Sequence, residues 1–536
     1  MQRATATLAF ILTAGSLLTP AALAQSVPAD TLRVAAEWEP AIGAQIRWPL
    51  GVPIAVAREI AEDDLLFVYV PASQQAAAST AFVNAGVNMA NVRYVNAPTD
   101  NIWTRDFGPS MSYSPLGQAA IADHLFTGYS VSGFSCATQS WMDTSGWSND
   151  DAAPGVLAQV LGVPRVIVGA YLVGGNFLVD GTGRAFYTCQ LYRENQQRGL
   201  SQSIVDSEMT LRKGISQRIV LPNFETSGIQ HIDCAIKLID EETILVKRTP
   251  ANHPSFAATN NLATILAATP APSGRNYRVI RLDCPYYSGS SITNYTNSLI
   301  LNRKVLMPAW NIPGDAVAAQ TFRDAMPGYE VVLFPWNQWF SNDALHCRVR
   351  AVWDPQMLHV RVNRLPDSVS AQAEYPMTVN VRSYGGPSVI SSSLRWRAIN
   401  AQVPQPWNTA PLLPGASPHQ FTSIIAGQPG GTRIEYYLTA TNSLGETQTM
   451  PVTAPAWTYA FTITGSAPCD DIDFNNNGVF PEDQDVLDFF SVLAGGTPAT
   501  CDATRGCNDI DFNNNAVFPE DQDVLDFFTV LAGGAC

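Results

Sequence analysis

The chain of 536 residues is poor in charge, with Asp, Glu, Lys and Arg making up only 14% of it. It has no run of lysine or arginine that could track a phosphate backbone, and 46 acidic residues against 31 basic ones leave a net charge of −15. Nucleic-acid binding is excluded on that ground. The acidity suits cationic substrates or calcium instead. Beyond the N-terminus no stretch holds 18 consecutive apolar residues, so no transmembrane segment is expected in the mature chain. Hydrophobic residues reach 46% and aromatics 10%, the composition of a packed globular protein. The length is too great for one core and predicts about three domains.

The N-terminus reads as a signal peptide over 1–24. Arg3 supplies the charge, "LAFILTAGSLL" the apolar stretch and Ala22-Leu23-Ala24 the cleavage site. A secreted protein, extracellular or periplasmic, follows, where disulfides persist. Nine cysteines are an odd number, so at least one thiol stays unpaired within a single chain.

From 30 to 353 short apolar runs alternate with helical patterns. "LLFVYV", "VIVGAYLV", "TILVK" and "EVVLFPW" read as buried strands, and "SQQAAASTAFVNAG" and "GDAVAAQTFRDAM" as helices. This part is α/β. From 356 to 465 the helical period vanishes and alternating strands such as "LHVRVNRL" and "RIEYYLTATNS" take over, which predicts an immunoglobulin- or fibronectin-like β-sandwich.

The remainder, 467–536, is an internal repeat. "DDIDFNNNGVFPEDQDVLDFFSVLAGG" (470–496) returns 38 residues later as "NDIDFNNNAVFPEDQDVLDFFTVLAGG" (508–534). Each copy predicts a polar loop and then a helix with Pro481 or Pro519 in its first turn and an apolar stripe of Val486, Leu487, Phe490 and Leu493. Asp473, Asn475 and Asn477 fall at alternate positions, as calcium's oxygen ligands do in an EF-hand-like loop. With Asp485 they make a candidate calcium set, repeated as Asp511, Asn513, Asn515 and Asp523. Gln484 stands where such a loop ends on an acid, and Ala516 replaces a glycine in the second copy.

Four polar clusters carry the chemistry of the α/β part: "WTRDFGP", "VGGNFLVDGTG", "QHIDCAIKLID" and "NDALHCRV". On an extended chain His231 and Asp233 would face the same way, with Cys234 on the opposite face in the core. A His and a carboxylate projecting together near a distant Cys is a plan for a thiolate nucleophile with acid/base help. On a strand, Arg105 and Asp106 would likewise point apart, leaving Arg105 a structural role. Taken singly each cluster is ordinary: a His-x-Asp is commonly a structural pair, and an exposed Arg-Asp pair contributes about 0–1 kcal/mol.

Taken in order, Trp-x-Arg-Asp-x-Gly-Pro, Gly-Gly-Asn-x-x-x-Asp-Gly, His-x-Asp, "YTNSLILNRKVLMP", "MPGYEV" and His-Cys resemble the motif set of the agmatine deiminase and bacterial peptidylarginine deiminase superfamily. The resemblance implies a pentein fold, a five-bladed α/β propeller with its site at the centre, and stands nearer the peptidylarginine deiminase branch. It implies Cys347 as nucleophile, His231 as general acid/base, Asp106 and Asp233 as the two carboxylates that grip a guanidinium, and Asn297, with Asn294 close by, as an active-site asparagine. Trp103 packs along the substrate in this reading, and Asn176 joins the substrate-binding set. No cofactor is needed for catalysis. The substrate is an arginine-containing peptide or a small guanidine such as agmatine, and a catalytically inactive adhesion or scaffold protein is the alternative from another class.

One departure stands out. The resembled branch clamps a C-terminal carboxylate with an arginine pair, but the matching stretch His124–Asp151 has no arginine and offers Trp141, Trp147, Asp143, Asp150 and Asp151 as an acidic rim, with Arg184 as a distant substitute. The tail repeats resemble GC-type dockerin modules, which implies anchoring to a surface or a cohesin-like partner. That resemblance pairs Cys469 with Cys501 and Cys507 with Cys536, one of three possible connectivities.

Overall fold

The computed structural model describes residues 32–137, 139–142, 144–400, 403–464, 469–514 and 518–534. The expected signal peptide lies outside the described residues, as do Asp143, Asn515, Ala516 and Cys536.

Residues 32–353 build one unit five times over. In each, two adjacent antiparallel strands are followed by helix and then by a third strand parallel to the second. The clearest is Leu299–Leu301, Lys304–Ala309, helix Pro313–Ala325 and Glu330–Pro335. Ile236–Leu238, Thr243–Arg248, helix Phe256–Ala267 and Arg278–Asp283 repeat it. Ser110–Tyr113, Ala119–Leu125, helix Ser148–Leu161 and Arg165–Tyr171 form another. Leu178–Val179, Arg184–Thr188, two helices and Gln217–Leu221 form the fourth. A parallel third strand requires a crossover, and the helix supplies it.

The fifth unit closes the ring. Strand Arg350–Trp353, from the far end of this part, pairs antiparallel with Ala41–Arg47, which runs parallel to Leu65–Tyr69 and that in turn to Val92–Val95. Chain closure therefore rests on contacts between residues about three hundred positions apart. The strands are apolar on both faces, as burial of Leu66, Phe67, Val68, Ile244, Leu245 and Val246 requires.

The expected strands and helices of this part are all present. The segment holding Asp106 is not a strand: Thr104–Phe107 is a single helical turn, and Ile232–Cys234 is likewise a 3₁₀ turn. Alternation of faces therefore fails at both, with the consequence for Cys234 given below.

Residues 358–464 are all strand and turn. Two sheets, one containing Glu374–Ser383 and Gln420–Ala426, the other Val389–Asn400, Arg433–Asn442 and Tyr459–Thr464, enclose a shared core of Val379, Leu394, Tyr436 and Phe461. The alternating burial along Arg433–Asn442 matches a strand with one wet face. Arg361 bridges to Glu241 of the α/β part at 2.7 Å.

The two tail helices run from Asp483 to Leu493 and from Asp521 to Leu531. Pro481 and Pro519 stand before the helices rather than in their first turns; Glu482 and Glu520 are the N-caps, reciprocated by Asp485 and Asp523. The stripe is also rotated from expectation. Leu487 and Phe490 are exposed, while Phe489 stacks on Phe527 at 4.3 Å between Phe474 and Phe512. The two repeats share one aromatic core, so the buried face is set by the neighbouring repeat. Cys501 bonds to Cys507, which overturns the expected pairing of each with an outer cysteine; Cys469 is disulfide-bonded too. Cys136 bonds to Cys189, and Cys234, Cys284 and Cys347 are free thiols.

Candidate active site

The segment before the inner strand of each unit turns in toward the ring centre. These segments are Thr104–Phe107, Gly174–Asn176, Ile232–Cys234, the loop up to Ser298, and Leu345–Arg348. They deliver Asp106, Gly175, His231 with Asp233, Asn297 and Cys347, all fully or almost fully buried. Four of the motifs read from the sequence thus become one site because they occupy equivalent places in a repeated unit.

Asp106 and Asp233 face a common space beside Gly175. A Cβ built on Gly175 would lie 2.9 Å from Asp106 Oδ1, 2.9 Å from His231 Nδ1 and 3.2 Å from Asp233 Oδ1. No side chain fits there, which is the physical reason for glycine. The Gly175 N–H donates to Asp106 Oδ1 at 3.0 Å, and Tyr129 OH donates to Oδ2 at 3.0 Å. His231 Nδ1 stands 3.7 Å from Asp106 Oδ1. Both His231 Nδ1 and Asp233 Oδ1 are buried without a hydrogen-bond partner.

Asn297 organises the nucleophile. Its carbonyl oxygen accepts from the N–H groups of Ala344 at 3.2 Å and Cys347 at 3.1 Å; its amide donates to Asp233 Oδ2 at 3.1 Å and lies 3.2 Å from Cys347 Sγ. Asn294 instead accepts from Thr296 Oγ1. Cys347 Sγ is 3.8 Å from Asp233 Oδ2. Cys234, expected on the opposite face, has its sulfur within 4.8 Å of Cys347 Sγ and Asp233, because the turn at 232–234 breaks the alternation.

The charges are unequal. Burial and the nearby Asp233 charge push Asp106 well above the ordinary carboxylate range. Burial would raise Asp233 too, but the hydrogen bond and charge of His346, with His231 and Arg105, outweigh it and hold Asp233 below its ordinary value. Burial drops His231 to about 4, against the pull of Asp233, so its imidazole is neutral at pH 7. The hydrogen bond with Cys234, burial and Asp233 push the Cys347 thiol well above its ordinary value. The free site therefore holds a thiol and a neutral imidazole, and Asp106 keeps its proton more tightly than Asp233 does. Protonated His231, one source of the thiolate expected from the family chemistry, is not available before a cation enters.

A second layer that sequence reading missed fixes Asp233. His346 Nδ1 meets Asp233 Oδ2 at 2.7 Å and His346 Nε2 meets Glu37 Oε2 at 2.6 Å. Burial, with Arg105 and Lys237, lowers the affinity of His346 for its second proton, against the pull of Glu37 and Asp233; the two carboxylates at that distance call for an N–H on each ring nitrogen. Glu37 also binds Lys237 Nζ, Arg105 at 2.9 Å and the Ile300 N–H at 2.9 Å. Arg105 thus pairs with Glu37 and not with its neighbour Asp106. Glu37 in "AAEWEP" and His346 beside Cys347 were visible as polar residues in apolar frames, but their partners lie 68 to 309 residues away along the chain.

Asn176 has a holding role. Its carbonyl oxygen accepts from Thr188 N–H at 3.0 Å and Ile232 N–H at 3.2 Å, fixing the His231–Asp233 turn. Trp103 is half-buried with its ring 5.3 Å from that of Tyr129, which places Trp103, through Tyr129, beside Asp106. Of the expected acidic rim, Asp143 lies outside the described residues, Asp150 is fully buried and accepts from the Asp100 N–H at 2.8 Å, and the half-buried Asp151 accepts from the Phe126 N–H at 2.7 Å. Arg184 is buried at 3.9 Å from Asp180 and hydrogen-bonds Thr182, so it does not substitute for the missing arginine pair.

Residues 33–350 match the family described as Porphyromonas-type peptidyl-arginine deiminase. The agmatine deiminase of Pseudomonas fluorescens is 25% identical, over 60% of this chain and 95% of its own. That of Ectopseudomonas mendocina is 26% identical, over 61% and 97%. The crystal structure of the Enterococcus faecalis agmatine deiminase superposes with a TM-score of 0.51 at 20% identity, covering 61% of this chain and 97% of that one. A Porphyromonas gingivalis structure put forward as an arginine deiminase gives 0.51 at 22% identity, covering 61% and 99%. The solved structures share the fold of the ring.

Glu37→Gln leaves Arg105, Lys237 and His346 buried around a neutral amide. Removing one partner from such a cluster is expected to destabilise the protein by about 3–5 kcal/mol, read from its urea midpoint. A loss below about 1 kcal/mol would show that the cluster does not hold the ring centre together.

Proposed function

Because the chain belongs to the Porphyromonas-type peptidyl-arginine deiminase family, whose members hydrolyse carbon–nitrogen bonds of linear amidines, we propose that it deiminates an arginine side chain to citrulline and ammonia, with Cys347 as the nucleophile. The observation that carries the reading is the pair Asp106 and Asp233, facing one another across Gly175 beside Cys347. A guanidinium is planar, permanently charged and offers paired N–H donors, which two carboxylates can hold bidentately.

The protons follow from the free site. Entry of the cation displaces to solvent the proton of Asp106, whose raised affinity for it came from burial and from Asp233. The same cation favours thiolate at Cys347, with neutral His231 taking the proton. Sulfur attacks the central carbon, the adduct is tetrahedral, and His231 gives that proton to the departing nitrogen, which leaves as ammonia. An S-alkylthiouronium remains. Water attacks it, His231 takes the water's proton, the C–S bond breaks and the ureido product leaves. Asn297 holds the sulfur and Asp233 in register throughout.

Agmatine is the second reading, favoured by the agmatine deiminases among the relatives. Secretion, and anchoring through the tail to a cohesin-like partner, belong to the same proposal. Calcium in the tail is supported by the Asp473, Asn475, Asn477 ladder and by Asp523 Oδ1, which is buried without a partner. Asp473 accepts from the N–H groups of Asn477 at 3.0 Å and Gly478 at 2.8 Å, so the loop is already curled as such a site needs.

Ammonia release from arginine compounds is expected to vanish in Cys347→Ala, and equal rates in the two proteins would remove Cys347 from the mechanism. Asp106 must lose its proton to bind the cation. Since its affinity for that proton is raised, kcat/KM is expected to climb with pH along a limb above the ordinary carboxylate range, about pH 4. A profile already flat at that pH would refute the assignment. Calorimetry of the full chain with calcium should give binding heat that Asp473→Ala and Asp511→Ala together remove; a flat titration of the parent sinks the tail proposal.

A further inference from the structure

A cavity of about 370 Å³ lies against the catalytic centre, lined by Glu225, Lys247, Thr249, His253, Ser341 and Asn342 among others. It shares a wall with the site. The Asn342 carbonyl accepts from Cys234 Sγ at 3.4 Å, and that sulfur is within 4.8 Å of Cys347 Sγ. The Lys247 N–H also donates to the carbonyl of Ala235 at 2.8 Å, next to the His231–Cys234 turn.

Three side chains in this cavity are without side-chain partners among the described residues. Lys247 is only 2% exposed, yet its ammonium forms no hydrogen bond or ion pair among the described residues. Thr249 Oγ1 is buried and unbonded. Glu225 makes no ion pair with Lys247, although both line the same space; Gly228, with φ of +152°, carries no side chain there, and a Cβ would meet Glu225 Oε2 at 2.6 Å. Burial raises Glu225 to about 7, with Lys247 opposing and the Asp233 charge adding. Neither group takes part in the mechanism above. A buried cation without an anion is unfavourable unless a ligand supplies one.

We propose that this cavity receives the α-amino-acid end of the substrate, with Lys247 and Thr249 binding the carboxylate and Glu225 the ammonium, so that the enzyme's substrate is free L-arginine. The inference rests on the deiminase reading. A cation and an acid held apart on one wall match a zwitterion, in which the two opposite charges sit on one carbon. Agmatine has the ammonium without the carboxylate, and an Nα-acylated arginine has the carboxylate without the ammonium.

The test crosses two variants with four guanidines: L-arginine, agmatine, Nα-acetyl-L-arginine and Nα-acetyl-L-argininamide. Lys247→Met is expected to lower kcat/KM for L-arginine and Nα-acetyl-L-arginine by roughly tenfold to a hundredfold, mostly through KM, and to leave agmatine unchanged. Glu225→Gln should lower L-arginine and agmatine and spare Nα-acetyl-L-arginine. Lys247→Arg, which keeps the charge, should recover most of the loss. Equal losses on all four compounds, or none on any, would overturn the assignment. If the parent turns over none of them, the deiminase reading fails. Calorimetry of L-arginine and agmatine with the parent and Lys247→Met then decides the cavity by itself: L-arginine weakened about tenfold with agmatine unaltered supports it, and identical binding refutes it.

Discussion

Asp233 has to stay ionised in a place where burial argues against it. Asp106, a short distance away, loses that contest and keeps its proton. The difference between them is His346, whose two ring N–H groups join Asp233 to Glu37, and Glu37 in turn collects Arg105 and Lys237. This chain of charge fixes one acid of the cradle and leaves the other to be ionised by what binds. The same chain ties the N-terminal segment to the segments before three inner strands, so electrostatics and ring closure depend on the same residues.

A thiol and a neutral imidazole beside an acid with raised proton affinity make a weak nucleophile in the free protein. In the proposed reaction, reactivity is then coupled to recognition, and the buried thiol pair Cys347 and Cys234 is not left as thiolate in the free site.

The strands and helices of the ring were legible because apolar runs and helical periods are local. So were the residues that meet at the ring centre, since the motifs carry them in order. What local reasoning placed wrongly were the turns. A strand was expected at Arg105–Asp106 and at His231–Cys234, and both are single turns, which is why Cys234 faces Cys347 and Arg105 reaches Glu37. In the tail, helical periodicity was right but the buried side was not, because Phe489 meets Phe527 of the other repeat.

The sequence by itself determined the α/β alternation, the change to strands after residue 356, the repeat, and the ordered motifs that hold Asp106, His231, Asp233, Asn297 and Cys347. Each depends on residue type and spacing, which the chain carries along its length. The tertiary structure alone decided which groups hold them: Tyr129 and Gly175 at Asp106, Glu37 and His346 behind Asp233, and Lys247 unpaired in the adjoining cavity. Those are contacts between separate units of a closed ring, and protonation there depends on burial and on charges brought from afar, which no local pattern encodes.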